Sequence, residues 1–474
     1  MKRVILFLGA GLLSVSAFGA KSAPADLKKR LEAKIQASGV PAANMSLYIT
    51  SGEEGDEVIL DVNSKKSLIP ASISKVATAS AALEAFPPGY KFKTSLWADG
   101  ALKDGVLKGR LVLVGGGDPS FVSENMWFLV NQFLRSGITK IDGDILVDDS
   151  LFDEIRYDES REDSRVDRAY DAPVGAMSFN WNSINVFTRP APTTGKPALV
   201  FLDPENAYTK LVNKTTTVAG AVRDIQVERK SGAGASGDTL IVSGRIGVKT
   251  DEVVVFKNIT KPDLWSGENL KSFLSQRGIE VTGKILSGKL PKTAERVAEA
   301  ESKSIELVIA DMNKFSNNYV AEMLTKNMAA MDAKPANLAK GVQRINRHLK
   351  ELGLPEDQLV FKNPSGLTRD NRLSAFAMWK VLNHLKTDFR VQPEFLMSLP
   401  ISGVDGTLKS RMKNPKAQRW VRAKTGLLTG VTALAGYAGR EDGKVFTFVF
   451  IHNGPQDGSR MRSLFDDWLT SLID

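Results

Sequence analysis

Three short stretches hold side chains that can do chemistry together: Ser72-Ile73-Ser74-Lys75, Ser316-Asn317-Asn318 and Lys424-Thr425-Gly426. Residues three apart share a helix face, so the Ser72 hydroxyl and the Lys75 amine can meet. A serine hydroxyl is a weak nucleophile until a base takes its proton, and a desolvated lysine can be that base. A place in the first helical turn adds free backbone N–H groups and the positive end of the macrodipole, which favour developing negative charge. Ser316 can relay a proton and Asn318 can hold a substrate amide; the same residues also suit the N-cap of a following helix. Lys424 offers an ammonium, Thr425 a hydroxyl for a carboxylate, and Gly426 a bare backbone against which a substrate can lie; an exposed strand end would read the same way. Each stretch alone is a weak signal, because such tetrads arise often by chance.

The flanking patterns give each stretch an element. Pro70 ahead of an Ala-rich run predicts a helix that starts near Ala71 and stops at Pro87-Pro88-Gly89. Ser316 falls between helical patterns at 305–315 and 319–331, with another at 338–352. Lys424 lies on the first of three closing strands, RWVRAKTG, VTALAGYAG and KVFTFVFIHNG. A terminal helix follows, with Met461, Leu464, Phe465, Trp468 and Leu472 on one face. Near the start, a helix at 27–36 precedes strands at 45–50 and 58–62, joined by SGEEGDE. From about 92 to 286, short strand-like runs alternate with Gly, Asp and Pro turns, which reads as a mostly β insertion. The expected class is α/β (α+β): an antiparallel sheet covered by helices, formed by 21–95 plus 286–474. The insertion covers 96–181 plus 250–285, with a β-rich subdomain nested at 182–249.

Composition excludes several alternatives. The chain has 474 residues, too many for a single core. With no cysteine, it has neither a thiol nucleophile nor a thiolate metal site. Three histidines (His348, His384, His452), no HExxH and no GxSxG leave little for zinc hydrolysis or a Ser-His-Asp triad, so no cofactor or metal is expected. His452 reads as a structural histidine. Gly115-Gly116-Gly117 lacks the P-loop pattern and reads as a turn. Lys2 and Arg3, an apolar block from Val4 to Leu13 and small residues through Ala20 read as a signal peptide at 1–20, hence a protein that is periplasmic or otherwise exported. Without Lys2 and Arg3 the chain keeps 61 basic against 54 acidic residues, a net +7. Such a charge draws it to anionic envelope polymers. No basic-aromatic cluster or zinc finger points to nucleic acid, and no mature transmembrane segment is expected.

SxxK at a helix start, SxN between helices and KTG on a strand, in that order, form the motif set of penicillin-binding proteins and class A β-lactamases. Over nearly its whole mature length the chain resembles the class C low-molecular-mass penicillin-binding proteins, the D-alanyl-D-alanine carboxypeptidase/endopeptidase family. The resemblance rests on the long gap between Lys75 and Ser316. It rests also on VGGGDPSF (114–121), YDAPVGAMSFNWNSINV (170–186), NPSGLTRDNRLSA (363–375), ISGVDGTLKSRM (401–412) and AKTGLLTGVTALAGY (423–437). It implies a hydrolase of peptidoglycan stem peptides and crosslinks, with β-lactam antibiotics as covalent inhibitors. By the same implication Ser72 attacks the penultimate D-Ala carbonyl, Lys75 takes its proton, and the N–H groups of Ser72 and Leu427 form the oxyanion hole. Ser316 protonates the leaving amine, Asn318 holds the peptide, and Lys424 with Thr425 binds the carboxylate beyond the cut. Asp148 and Arg369 are implied to contact the free end of a diaminopimelate side chain.

Two positions depart from the family pattern. Leu427 stands where a second hydroxyl residue often follows KTG, a loss expected to weaken the grip on a free carboxylate and favour crosslink cleavage. Asn363-Pro364 stands where an acidic residue commonly precedes SGL. A β-lactamase is the nearest alternative, but no ExxLN segment is present and the second motif starts with Ser316 rather than a tyrosine. A non-catalytic wall-binding protein is the other, and it would have no need of Ser72, Lys75 and Lys424 together.

Overall fold

The computed structural model describes residues 24–52, 57–160, 166–234 and 236–474; the expected signal peptide lies outside the described residues. The three closing strands join the two N-terminal ones in a five-stranded sheet. Its order is Val421–Leu428, Val431–Gly439, Val445–Asn453, Met45–Ser51, Glu57–Val62, with every neighbouring pair antiparallel. The two strands after KTG are buried almost throughout, which requires cover on both faces. Alternation along each strand divides their side chains between two cores. Leu434, Phe446, Phe448 and Phe450 meet Leu27 and Leu31 of the Pro24–Ala37 helix and Phe465 and Trp468 of the terminal Gly458–Ile473 helix. Ala433, Ala435, Val449 and Ile451 face the opposite core, built with helices Ser74–Ala85, Asn318–Ala330 and Ala375–Thr387.

The terminal helix shows how sequence sets this packing. Met461, Phe465, Trp468 and Leu472 recur at helical spacing and are buried, while Leu464 is partly buried. Asp457 caps its start, accepting from the N–H groups of Ser459 and Arg460. Removing the Trp468 side chain would cost about 3–5 kcal/mol.

Between the Ser74–Ala85 helix and the Ile305–Lys314 helix lies the other part of the molecule. A seven-stranded sheet runs Glu280–Val281, Lys140–Asp142, Val106–Val114, Lys93–Lys103, Glu295–Glu301, with Ile145–Asp148 also on Val106–Val114 and Ile285–Ser287 on Ile145–Asp148. Two three-stranded sheets cover much of 183–258. The sequence reading named only strands here, yet helices Ser123–Phe133 and Pro262–Gln276 pack on the large sheet through Leu129, Phe133, Trp265, Leu270 and Leu274. The second hides its period because its buried face includes Ser266, Gly267 and Asn269. Gly267 is there for closeness: a Cβ would stand 2.3 Å from Ile285 Cγ2. The sheet's last strand, Glu295–Glu301, pairs with Lys93–Lys103 beyond position 286.

Candidate active site

Pro70 leads into Ala71, whose φ of 49° is left-handed. For a residue with a Cβ this costs about 1–2 kcal/mol. Ser72 sits in the single 3-10 turn Ala71–Ile73, and the α-helix proper starts at Ser74. Lys75, one turn on, is wholly buried. Its Nζ lies 3.1 Å from Ser72 Oγ and 2.8 Å from Asn318 Oδ1, and it also meets the Ser365 carbonyl. Burial holds its pKa well below the usual lysine value; the nearby Lys424 charge lowers it further, against an opposing pull from Glu322. A neutral amine has two N–H groups and one lone pair. The Asn318 and Ser365 oxygens accept the two N–H bonds, which leaves the lone pair for the Ser72 hydroxyl proton.

The second stretch links helices Ile305–Lys314 and Asn318–Ala330. Asn317 is the N-cap, accepting from Val320 N–H, so the capping role and the site are divided among adjacent residues. Ser316 is left-handed at φ 55°, and its Oγ accepts from Lys424 Nζ at 2.9 Å. Asn318 Nδ2 donates to the Tyr170 carbonyl at 3.0 Å, a group of the inserted region. With Oδ1 on Lys75 and Nδ2 on Tyr170, the amide has one orientation.

KTG lies on the edge strand Val421–Leu428. Lys424 is wholly buried, donates to Ser316 Oγ and to the Thr425 carbonyl at 2.8 Å, and has its pKa pushed down to about 7 by burial. Thr425 Oγ1 donates to Thr407 Oγ1 at 2.9 Å. On the outer edge, Ser402 N–H meets the Val421 carbonyl and Ala423 N–H meets the Pro400 carbonyl. The two-residue strand period carries the N–H groups of Thr425 and Leu427 to that same edge. Gly426 faces the turn that carries Ser72: a Cβ there would stand 2.8 Å from the Pro70 carbonyl oxygen and 3.3 Å from Ala71 Cβ. The glycine thus lets the strand approach Ser72, a tighter demand than room for a substrate.

One cluster therefore unites a serine, a wholly buried lysine with a lowered pKa, a second buried lysine and a strand edge. Residues 27–472 match the D-Ala-D-Ala carboxypeptidase 3 (S13) family. The chain belongs to that family. It is 28% identical over 476 residues to the D-alanyl-D-alanine carboxypeptidase of Actinomadura sp. (strain R39), covering 96% of this chain and 87% of that protein. It is 27% identical over 439 residues to the D-alanyl-D-alanine carboxypeptidase DacB of Haemophilus influenzae, covering 87% and 86%. The fold matches the crystal structure of penicillin binding protein 4 from Haemophilus influenzae with a TM-score of 0.78, at 23% identity over 94% of this chain and 98% of that one. A predatory peptidoglycan endopeptidase of Bdellovibrio bacteriovorus shares the fold at a TM-score of 0.53 and 16% identity, covering 90% and 92%. This S13 protein is a serine-type DD-peptidase, a hydrolase with the mixed α/β architecture of the penicillin-binding fold.

The two outlying positions differ. Arg369 donates to the Thr429 carbonyl at 2.6 Å, which ties it to the hairpin just beyond Leu427-Leu428. Asp148 ends the Ile145–Asp148 strand of the inserted sheet and accepts from the N–H groups of Ser150 (2.9 Å) and Leu290 (2.7 Å). It lines a cavity of about 710 Å³ with Phe86, Asn327 and Met331. Phe86 follows the last residue of the Ser74–Ala85 helix, about 18 Å along it from its start, and Asn327 and Met331 lie in and after the last turn of the Asn318–Ala330 helix. The structure does not join Asp148 to the bonded cluster around Ser72.

Sequence reasoning missed the groups that act through their backbone, the Ser365 and Tyr170 carbonyls, and Thr407 as well. It also left Asn363 unexplained. Asn363 is wholly buried, and its Oδ1 accepts from Ser365 N–H (3.0 Å), Ser365 Oγ (2.7 Å) and Gly366 N–H (2.7 Å), while Nδ2 donates to Asp158. The position needs an acceptor to shape the loop that carries the Ser365 carbonyl to Lys75. An amide oxygen serves, with Asp158 taking up its N–H.

Proposed function

We propose that Ser72 is the nucleophile of a peptidoglycan DD-peptidase that cleaves D-Ala-D-Ala termini and D-Ala–diaminopimelate crosslinks. One observation carries this reading: the Ser72 hydroxyl lies 3.1 Å from the wholly buried amine of Lys75, whose pKa burial holds well below the usual lysine value. Ser72 Oγ bonds to the penultimate D-Ala carbonyl carbon while its proton passes to Lys75 Nζ. The oxyanion is held by the N–H groups of Ser72 and Leu427, the latter on the open strand edge. Ser316 relays the proton that Lys75 took to the leaving amine, the C–N bond breaks, and Lys424 with Thr425 holds the departing carboxylate. Asn318 has one amide N–H left for the substrate carbonyl. Water then attacks the ester, returns the proton to Ser72 and frees the acid. A β-lactam ring opens at the same serine and stays bound.

Arg369 is assigned in this reading to the free end of a diaminopimelate side chain, and its bond to the Thr429 carbonyl beside the strand end supports that; Asp148 gains no support for that role. We assign the protein to the periplasm after loss of residues 1–20; no described helix is long and apolar enough to cross a membrane. The division into a peptidase domain, an inserted domain and a nested β unit belongs to the same reading; a second buried core, around Leu111, Trp265 and Leu270, supports the inserted part, although Phe152 and Val174 from that stretch pack in the peptidase core and Leu240 and Val242 of the nested strands pack in the inserted one. Liquid chromatography with mass spectrometry of digested, crosslinked peptidoglycan tests it. Loss of terminal D-Ala and conversion of dimers to monomers are expected from the parent and neither from Ser72→Ala; release by the variant would remove Ser72 from the mechanism.

A further inference from the structure

Between Asp405 and Glu441 the chain carries eight lysines and arginines and no carboxylate. Three are neutralised by residues elsewhere: Arg411 by Asp466, Lys416 by Asp474 and Arg440 by Asp442. Lys424 is in the active site, and Arg422 is half-buried beside the Leu396 carbonyl. Lys409, Lys413 and Arg419 remain, all exposed and with no carboxylate partner among the described residues. Arg419 is held left-handed at φ 70°, its N–H on the Ser402 carbonyl at 3.0 Å. Beside it Trp420 is 36% exposed, with a ring edge lying over Gly439, and Val404 is 42% exposed. Like charges displayed together without counter-charges repel one another.

The position of this segment gives it a use. Pro400 and Ser402 close the edge of the KTG strand at Ala423 and Val421, and Thr407 bonds Thr425. Gly403 packs on the Lys413 backbone. The basic surface thus begins where the open edge at Thr425 and Leu427 stops, so a substrate strand lying along that edge runs onto it. We propose that Lys409, Lys413 and Arg419, with Trp420, form a docking surface for polymeric peptidoglycan, binding carboxylates of stem peptides next to the one in the cleft. This rests on the substrate class given above. A carboxylate-bearing strand supplies the missing counter-charge, and the tryptophan offers an apolar face at the same rim. A single soluble peptide fills the cleft without reaching it.

The test is the triple substitution Lys409→Gln, Lys413→Gln, Arg419→Gln, with its melting temperature checked against the parent. In low salt the apparent KM on insoluble peptidoglycan is expected to rise roughly tenfold at unchanged kcat, with a flatter salt dependence. Hydrolysis of a soluble pentapeptide and acylation by labelled penicillin stay at parental rates. Sedimentation with the wall, in a Ser72→Ala background, reads docking without turnover and so separates failure of the surface from failure of the serine assignment. Peptidoglycan with its carboxyls amidated is expected to abolish the parent's advantage, and wall stripped of phosphate polymers to retain it. Unchanged wall binding, an advantage that needs the phosphate polymer, or an equal loss on the soluble peptide would each overturn the proposal. If the triple variant does not fold, Lys409→Gln/Lys413→Gln, away from the strained Arg419 backbone, must show a smaller rise in KM on the wall alone.

Discussion

The two regions of this molecule bury their lysines differently. In and around the inserted region, a buried ammonium meets a carboxylate: Lys257 lies 2.5 Å from Asp167, and Lys326 reaches across to Asp153 at 2.6 Å. At the active site, Lys75 and Lys424 are buried more deeply, yet their bonded partners are hydroxyls, an amide oxygen and carbonyls. Burial lowers the pKa of Lys257 and Lys326 too, but there Asp167 and Asp153 pull back towards the charged form, and the pair fastens elements together. A cation denied a partner drifts towards the neutral amine, which is a base. The difference separates an architecture lysine from a chemistry lysine by what surrounds each, not by residue type.

That contrast can be broken most directly at Lys75. Lys75→Met should lower the rate of acylation by penicillin by on the order of 10³-fold or more, as loss of a general base does, with little loss of thermal stability. Lys75→Arg should not rescue, because a guanidinium keeps its proton. Lys326→Met reverses the pattern: it strands the Asp153 carboxylate and should cost about 2–4 kcal/mol in denaturant unfolding, while the folded fraction acylates at the parental rate. A large acylation defect in the folded fraction, or no loss of stability, would erase the distinction.

The pH profile sharpens it. In the proposed mechanism Lys75 acts as the free amine, so acylation is expected to rise with pH as that amine loses its proton. Lys424, with a pKa near 7, is an ammonium below that pH and neutral above it. Capture of a carboxylate-bearing substrate should therefore weaken above about pH 7, giving kcat/KM a bell shape. An amidated substrate analogue should lack the alkaline fall; persistence of the fall would exclude Lys424 as its source. The smallest effect is expected at Leu427. Leu427→Thr should shift the ratio of pentapeptide trimming to dimer cleavage a few-fold towards trimming, since one hydroxyl bond to a carboxylate is worth roughly 1–2 kcal/mol at most in solvent reach. Equal ratios in both proteins would remove Leu427 as a selector.

Much of this was legible in the sequence because the chemistry lies in side chains at local spacings. Ser72 and Lys75 are one turn apart, and Ser316 falls in a break between two helical patterns. Lys424 sits on an alternating strand, and Trp468 and its neighbours recur at helical period. What stayed hidden has physical causes. The Ser365 and Tyr170 carbonyls are backbone groups, which every residue carries. Gly426 is set by the approach of Pro70 from across the fold, and the Pro262–Gln276 helix buries small and polar residues that blur its period. Asn363 reads as a departure in a linear motif and becomes intelligible only once its oxygen is seen to gather the Ser365 and Gly366 donors. The left-handed Ala71, which sets Ser72 ahead of the helix proper, carries no mark in the sequence.

The deciding measurement is the site of the covalent penicillin adduct. Labelled penicillin followed by proteolysis and mass spectrometry should place the adduct on the peptide that contains Ser72, and Ser72→Ala should carry none. An adduct on another serine, or equal labelling of the variant, would contradict the pairing of this hydroxyl with the buried Lys75 amine as the source of the chemistry.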